Sequence, residues 1–374
     1  MVALLREAGL HPGLNIIYGW CPLVLKEFAN GGHLDSIVIF FTTLAIFLLV
    51  RAGSRQTNKP FVSLILSAMI LALAIGAKLY PVVLLPLFAM IWWRHSGIKS
   101  ALFGTLVAIL MASILVCPML VLGTQKNAPT VASQHDKSSF SNVGSNFEED
   151  TELPSGLQAF LRYWEMNDLI FMILQVNLRP QSEVIAKVRP WFVIIPDKWS
   201  TAVVDSFSSL LDRLESIVIN EKSPTVVDVE KDTSFLLARL LASVIFCFIA
   251  CKVAWRASAI DDPQAWCRAA MLTIAWFWLL CPTQNPWYWC WVVPLLPFAR
   301  YRTWYLVAGC TMLYYLRLWL AANYPEPPFL GTVYGGEYFF HFVVVWVEFA
   351  PCLLLLGIEW YRSRREIFLR SSPV

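Results

Sequence analysis

Long apolar runs recur along this chain, and they constrain its fold more than any other feature. They lie at residues 34–50, 60–77, 80–93, 100–123, 233–253, 265–281, 287–300, 303–323 and 337–361. A helix needs about 17 to 25 apolar residues to cross the hydrocarbon core of a bilayer. With 57% hydrophobic residues, 15% charged residues and a mean hydropathy of +0.58, the chain lies outside the range of soluble domains. The sequence therefore predicts an all-α, polytopic transmembrane bundle of about nine spans.

Basic residues follow alternate runs and predict how the bundle is oriented. They are Arg51, Arg55 and Lys59 after the first run, Arg94 and Lys99 after the third, Lys252, Arg256 and Arg268 after the fifth, Arg300 and Arg302 after the seventh, and Arg362, Arg364, Arg365 and Arg370 after the last. Because loops rich in Lys and Arg stay in the cytoplasm, the intervening segments are predicted to be extracytoplasmic. This alternation requires the short runs 80–93 and 287–300 to cross the membrane rather than fold back.

The same arrangement divides the chain into three regions. Residues 1–123 comprise an N-terminal interfacial segment and four spans, residues 124–232 form a large extracytoplasmic loop, and residues 233–374 contain five spans and a basic cytoplasmic tail. Two stretches of the loop, 156–175 and 201–219, space their apolar residues as amphipathic helices do. We expect the first to lie along the membrane and the second to cover the helix ends.

A polar break interrupts the apolar sequence at Leu279–Trp291, which reads LLCPTQNPWYWCW. Two prolines end the helix there, and the freed backbone needs hydrogen-bond partners at the water interface or on other protein segments. An interfacial aromatic belt would account for the tryptophans, but it does not account for an amide pair between two prolines. The candidate substrate-binding residues of this turn are Gln284, Asn285, Trp287 and Tyr288.

Three cations lie at the end of a predicted span or inside one, where charge is costly. Lys78 ends the second span, while Arg239 and Arg317 lie about 9 Å below the outer boundary of their spans, at about 1.5 Å of rise per residue. Snorkelling to the interface would account for each cation taken alone. Together they form a candidate clamp for a lipid phosphate, because ammonium and guanidinium groups donate several hydrogen bonds to phosphate oxygens.

The segment YGWCPLVLKEFANGGHLDSIVIFF, residues 18–41, carries a second group of polar side chains. Asp35 precedes an apolar helix, and its simplest role is to cap that helix. The functional alternative is that Glu27, His33 and Asp35 line the same pocket as Lys78 and Gln284. The sequence alone places these residues only on the same side of the membrane.

The nine cysteines lie mostly within apolar runs and form no CxxC pair, which indicates small buried side chains rather than disulfides or zinc ligands. No cluster of His, Cys and Asp has metal-site spacing, so the sequence predicts no cofactor. Nothing in the composition indicates nucleic acid binding, and the lipid bilayer is the predicted environment.

Four segments carry a resemblance to a known family. WCPLVLKEFANGGHLDS, GAKLYPVVLLPLF, RYWEMNDLIF and LLCPTQNPWYWCWVVPLLPF resemble, in that order, segments of bacterial C-superfamily glycosyltransferases, closest to the mannosyltransferase-like enzymes. The resemblance implies inverting transfer from a polyprenyl-phosphate sugar on the extracytoplasmic face of the cytoplasmic membrane. It also implies that His33, Asp35, Lys78, Tyr80 and the Pro282–Tyr288 turn belong to the site. It leaves a divalent cation open, since some relatives use one.

One departure from that family limits the resemblance. Such enzymes carry a catalytic acid in the loop after their first span, and nothing upstream of Asp35 spans the membrane here. We expect a shortened N-terminus that lacks earlier helices and that acid, with Asp35, then Asp168 and Glu165, as the catalytic carboxylates present. A polytopic transporter with a broken-helix site, or an inactive scaffold with the enzyme fold, are the alternatives.

Overall fold

The computed structural model describes residues 1–53, 60–124, 165–180, 190–218 and 229–371, and they contain no strand. Eight helices come first: α1 (Asp35–Gly53), α2 (Pro60–Ala77), α3 (Leu85–Ser96), α4 (Ile98–Thr124), α5 (Ile170–Leu178), α6 (Asp197–Val218), α7 (Val229–Ser258) and α8 (Pro263–Leu280). Two composite helices follow: α9 (Thr303–Asn323), with a 3-10 turn at Thr311–Tyr315, and α10 (336–371), with a π turn at Phe340–Val344. Shorter helical segments lie at Val2–Glu7, Pro12–Asn15, Ile16–Gly19, Pro22–Val24, Leu25–Asn30, Tyr80–Leu84, Pro286–Trp289 and Val293–Phe298.

The prediction of an all-α polytopic membrane protein is confirmed. Five described helices are long and apolar enough to cross a membrane: Asp35–Gly53, Ile98–Pro118, Thr233–Ser258, Thr303–Asn323 and Gly336–Arg365. A sixth apolar helix, Phe61–Ala77, is shorter. The count of nine spans, the orientation and the three-region division stay predictions.

The two short runs differ most from continuous spanning helices. Run 80–93 begins as the 3-10 turn Tyr80–Leu84 before α3 starts. Run 287–300 consists of Pro286–Trp289 and the 3-10 segment Val293–Phe298, whose residues are almost all buried. Pro294 and Pro297 in this run, and Pro286 directly before it, explain the change, because each removes a backbone donor and disfavours the α conformation of the residue before it.

Helix α8 lies inside the bundle and organises it. Pro263 occupies its first turn, and Asp262 caps it by accepting hydrogen bonds from the backbone N–H groups of Gln264 (2.9 Å) and Ala265 (3.2 Å). Trp266 and Trp278 are fully buried along its length. A helix that is apolar on every side is stable only when neighbouring helices surround it, and α8 packs against α1 and α7.

Helices α1 and α2 pack side by side, and α4 covers α2. Small residues on α2, among them Ala68 and Ala72, are fully buried at these contacts. Such residues let helix backbones approach closely, which is the main packing device available in a membrane. Because the connection between α1 and α2 is short, the start of α1 and the end of α2 lie at the same end of the bundle.

The two predicted amphipathic stretches have different outcomes. Stretch 201–219 lies almost entirely within α6, where Val204 is buried while Trp199 and Leu210 are exposed. Of stretch 156–175, residues 156–164 lie outside the described residues, and the remainder ends in α5. Phe171 of α5 is buried against Phe235 of α7, with ring centroids 5.3 Å apart. Helix α5 therefore packs on the bundle through that face.

Helices α9 and α10 form a hairpin that is fixed at both ends. At the closed end, the backbone N–H of Gly336 donates to the Tyr324 carbonyl at 2.6 Å. At the other end, the Glu359 carboxylate accepts from the backbone N–H groups of Arg302 (3.1 Å) and Thr303 (3.3 Å) and so caps α9. This hairpin carries Tyr315, Arg317 and Glu348 toward the polar residues described next.

Candidate active site

Asp35 and Lys78 form an ion pair at one end of the bundle. Asp35 is the first residue of α1 and Lys78 follows α2, so the packing of the two helices brings their side chains together. Lys78 Nζ lies 2.6 Å from Asp35 Oδ1, and the indole N–H of Trp291 donates to the same oxygen at 2.6 Å. The Asp35 side chain is 8% exposed and the Lys78 side chain 33%. The carboxylate is therefore paired with a cation inside the protein, while the Lys78 side chain is partly exposed.

Aromatic rings surround this ion pair. Tyr80 stacks on Trp291 with centroids 3.9 Å apart, and Tyr288 stacks on the same indole at 4.5 Å. Lys78 Nζ lies 4.4 Å from the centre of the Tyr288 ring and 5.0 Å from that of Trp291. Aromatic faces attract a cation, so the rings and the carboxylate hold the ammonium group in one place. The predicted residues Asp35, Lys78, Tyr80 and Tyr288 thus lie together.

A second polar group, the Glu27 cluster, comprises Lys26, Glu27, His33, Trp287 and Tyr315. The Glu27 carboxylate accepts from Lys26 Nζ at 2.8 Å and from the Tyr315 hydroxyl, both through Oε1. His33 Nε2 lies 3.2 Å from the other oxygen, Oε2, and the His33 ring stacks on Trp287 at 5.1 Å. Trp287 contacts Tyr288 at 5.8 Å between ring centroids, so the two groups share one aromatic wall.

The backbone freed by the break after α8 finds its partners on a distant segment. Met166 N–H donates to the Pro282 carbonyl at 2.8 Å, and Gln284 N–H donates to the Met166 carbonyl at 2.9 Å, which makes a short parallel bridge. The Gln284 amide group donates to the carbonyls of Leu279 (2.9 Å) and Cys281 (3.1 Å). Gln284 thus satisfies carbonyl groups that the end of α8 leaves without helical partners.

Asn167 is a structural residue of this turn that the sequence analysis missed. It is fully buried with a φ of 55°, and its amide donates to the Gln284 carbonyl (3.2 Å) and to Glu348 Oε1 of α10 (3.1 Å). The Asn-Asp pair at Asn167 and Asp168 was the available signal, because both residue types tolerate the left-handed conformation in turns. Asn285 is also buried, beside this contact.

Asp168 lies in a setting that disfavours its charged form. Its side chain is buried, and within the described residues its Oδ2 has no hydrogen-bond partner. Burial, and then the negative charge of Glu165, raise the pKa of Asp168 well above its usual range. A carboxyl group that keeps its proton is a poor general base, which weakens the case for Asp168 in that role.

The raised pKa of Asp168 predicts a pH effect on stability. Because the folded protein binds this proton more tightly than the unfolded chain, stability falls as pH rises from near the usual value of 3.8 toward the folded pKa. We expect Asp168→Asn to remove this loss, so that the melting temperature of the variant rises relative to that of the wild type as pH increases above the usual carboxyl pKa of 3.8. Thermal unfolding in detergent measures it. The exposed Asp205→Asn is the control, and a constant gap between wild type and Asp168→Asn would contradict the prediction.

The two predicted intramembrane arginines have their own neighbours. Arg317 Nη2 pairs with Glu337 Oε1 at 2.7 Å, and the Arg239 guanidinium lies 4.9 Å from the centre of the Phe235 ring. These contacts are not with Lys78 or Asp35. The joint phosphate clamp of Lys78, Arg239 and Arg317 stays a prediction. Among the described residues, no group of three or more His, Cys, Asp or Glu side chains is placed to hold a metal ion.

The chain is similar to a family of membrane transferases. The sequence pattern of the dolichyl-phosphate-mannose-protein mannosyltransferase family matches residues 33–129. This is a C-superfamily glycosyltransferase family, so the predicted resemblance to that superfamily is confirmed. The match contains the segment GAKLYPVVLLPLF and the end of WCPLVLKEFANGGHLDS, and the other two segments lie outside it. Comparison with curated proteins and with solved structures gave no match. The matched range begins at His33 and contains Asp35, Lys78 and Tyr80, three residues of the ion pair and its aromatic wall.

Proposed function

We propose that this protein is an integral-membrane glycosyltransferase that transfers a mannose-like sugar from a polyprenyl-phosphate donor to an acceptor hydroxyl. The family match supports the donor class, since dolichyl-phosphate mannose is a polyprenyl-phosphate sugar. The observation that carries the proposal is the ion pair of Lys78 and Asp35 beside an aromatic wall, at the end of a membrane bundle. The distribution of basic residues supports an extracytoplasmic position for this end. The resemblance to bacterial C-superfamily enzymes supports the cytoplasmic membrane of a bacterium.

Lys78 is the residue that we assign to the donor phosphate. An ammonium group carries three N–H donors, and Asp35 takes one of them at 2.6 Å. The remaining donors belong to a group that is one-third exposed and fixed by two rings. When the bond between the sugar and the phosphate breaks, negative charge develops on the phosphate. A cation held in place before the reaction stabilises that charge without reorganisation.

The aromatic wall offers a surface for the sugar and for the first part of the lipid. Tyr288 is buried beside Lys78, and Trp287 is half-buried next to it. Flat aromatic faces pack against the apolar C–H groups of a sugar ring, while nearby polar groups fix its orientation. Gln284 and Asn285 lie behind this wall and shape the turn that carries it. We propose that their contribution to substrate binding is indirect.

Asp35 has a role that differs from the one expected of a free carboxylate. Its Oδ1 already accepts from both Lys78 and Trp291. We therefore propose that Asp35 mainly holds Lys78 toward the donor, and that another residue accepts the acceptor's proton. Arg239 and Arg317 remain candidates for further contacts with the donor, and Glu165 for the acceptor side. Displacement by the acceptor from the face opposite the phosphate would invert the anomeric configuration.

The test uses the purified chain in proteoliposomes with radiolabelled mannosyl polyprenyl phosphate and a mixture of soluble and lipid hydroxyl acceptors. We expect donor consumption that depends on the protein, with label recovered in an acceptor. Flux of label across the vesicles without donor cleavage would instead identify a transporter. The absence of both donor binding and donor cleavage would overturn the proposed function.

A further inference from the structure

Transfer to a hydroxyl group requires a base, and the ion pair of Asp35 and Lys78 does not clearly provide one. Asp35 is committed to Lys78 and Trp291 through Oδ1, and Asp168 favours its neutral form. A useful base presents a lone pair on an accessible atom within reach of the acceptor. The Glu27 cluster contains such an atom on His33. The role inferred for His33 rests on the proposed function, since only transfer to a hydroxyl group requires a base.

The Glu27 carboxylate is buried and contacts three side chains. Its side chain is only 2% exposed, and one oxygen receives both Lys26 and the Tyr315 hydroxyl. Lys26 Nζ also lies 3.6 Å above the Tyr315 ring, which holds the three groups together. The second oxygen is left for His33 Nε2, at 3.2 Å. A carboxylate with one oxygen so restrained acts as a rigid acceptor for an imidazole N–H.

This contact favours the His33 tautomer that carries its proton on Nε2. With the proton on Nε2 and directed at Glu27, the other ring nitrogen, Nδ1, carries the lone pair and points away from the carboxylate. Stacking on Trp287, with only 16° between the ring planes, fixes the remaining rotation of the imidazole. The His33 side chain is 35% exposed, so the ring is accessible while its carboxylate partner is not. A buried carboxylate beside a partly exposed, stacked imidazole has the composition of a base dyad.

The position of His33 relative to Lys78 suits a displacement reaction. Trp287 and Tyr288 meet edge to face, with 78° between the ring planes, and His33 stacks on the first ring while Lys78 lies over the second. A sugar bound at the junction of these rings would have the phosphate-binding cation on one side and the imidazole on the other. Attack opposite to the leaving phosphate needs that separation of base and cation.

We propose that His33 is the general base of the reaction and that Glu27 is its positioning residue. The acceptor O–H gives its proton to Nδ1 of His33 as its oxygen bonds to the anomeric carbon. The bond between that carbon and the phosphate oxygen breaks, and its electron pair leaves with the polyprenyl phosphate beside Lys78. The imidazolium is stabilised by Glu27 and later releases its proton to water. The charged or titratable groups around it are Glu27, Lys26 and Tyr315.

The experiment compares His33→Gln with the wild type and with His11→Gln, a control histidine that also lies before α1. We expect His33→Gln to lower kcat by about 100-fold or more, the usual range for loss of a general base, with the donor Kd unchanged. His11→Gln should match the wild type. His33→Ala should regain activity with added imidazole, which a purely structural role would not allow. Glu27→Gln should lower kcat less.

A second measurement detects the contact between His33 and Glu27 without an activity assay. In protein labelled with 15N-histidine, which has five histidines, the His33 signals are identified by their loss in His33→Gln. We expect the Nε2–H tautomer in the wild type and a tautomer mixture in Glu27→Gln. If the wild type transfers sugar and His33→Gln is fully active, the assignment of His33 as general base is wrong, while the proposed function stands. Failure of the wild type to bind or cleave donor would overturn both.

Discussion

Replacing Lys78 with glutamine is expected to lower kcat/KM for sugar transfer by about 100-fold to 1,000-fold, the usual effect of removing one donor to a developing negative charge. Glutamine keeps a similar length and can still donate a hydrogen bond, but it carries no charge. The measurement is steady-state transfer from mannosyl polyprenyl phosphate, together with donor binding. Donor affinity should fall as well, because the ground-state phosphate is already charged.

The control variants separate charge from folding. Lys78→Gln leaves the carboxylate of Asp35 buried without its cation, which is costly in itself. The double variant Asp35→Asn with Lys78→Gln removes both charges, so it should recover stability while remaining inactive. Lys99→Gln changes an exposed lysine at the start of α4 and should behave as the wild type. Normal turnover in the double variant would show that the ion pair does not bind the phosphate.

Gly336→Ala is expected to cost about 3 kcal/mol of stability, at the upper end for overpacking. A methyl group at Gly336 would overlap the carbonyl oxygen of Leu320 and lie 2.9 Å from that of Tyr324. These are backbone atoms at the end of α9 and of the residue that follows it, so no side chain can rotate away, and α10 must move from α9. We expect a lower melting temperature and weaker transfer, since this hairpin carries Tyr315 to Glu27.

The matched control is Gly357→Ala, within the same helix. A methyl group there meets no atom within 4 Å, and alanine is a better helix former than glycine. This variant should be as stable as the wild type or more so. An equal melting temperature for Gly336→Ala and Gly357→Ala would mean that the α9–α10 contact is not tightly packed.

The fold was largely predictable because membrane crossing needs long apolar runs, and these are visible without any tertiary information. The break after α8 was predictable for a related reason, since two prolines flank it. The nature of run 287–300 was harder to predict. Its hydropathy matches a spanning helix, whereas its prolines produce the two short segments Pro286–Trp289 and Val293–Phe298. The apolar composition of this run favours a continuous helix, whereas its prolines break the helix, and the prolines decide the local backbone structure.

The sequence indicated several residues of the candidate site, but it did not indicate which of these residues contact each other. Asp35 and Lys78 were both identified, but their pairing depends on how α1 and α2 pack. The partnership of Trp291 with Asp35 joins residues 256 positions apart, and no local pattern encodes it. Asn167 was missed because its importance lies in two distant partners, Gln284 and Glu348. Its own sequence neighbourhood indicates only a turn.

The contact of Asn167 with Glu348 has a consequence for how the protein is made. The two residues are 181 positions apart, and α10 follows every other described helix along the chain. The turn that presents Trp287 and Tyr288 therefore gains its contact with Glu348 only after α10 has been synthesised. During synthesis the nascent chain would already hold Asp35 and Lys78, but without Trp291, Tyr315 or Glu348.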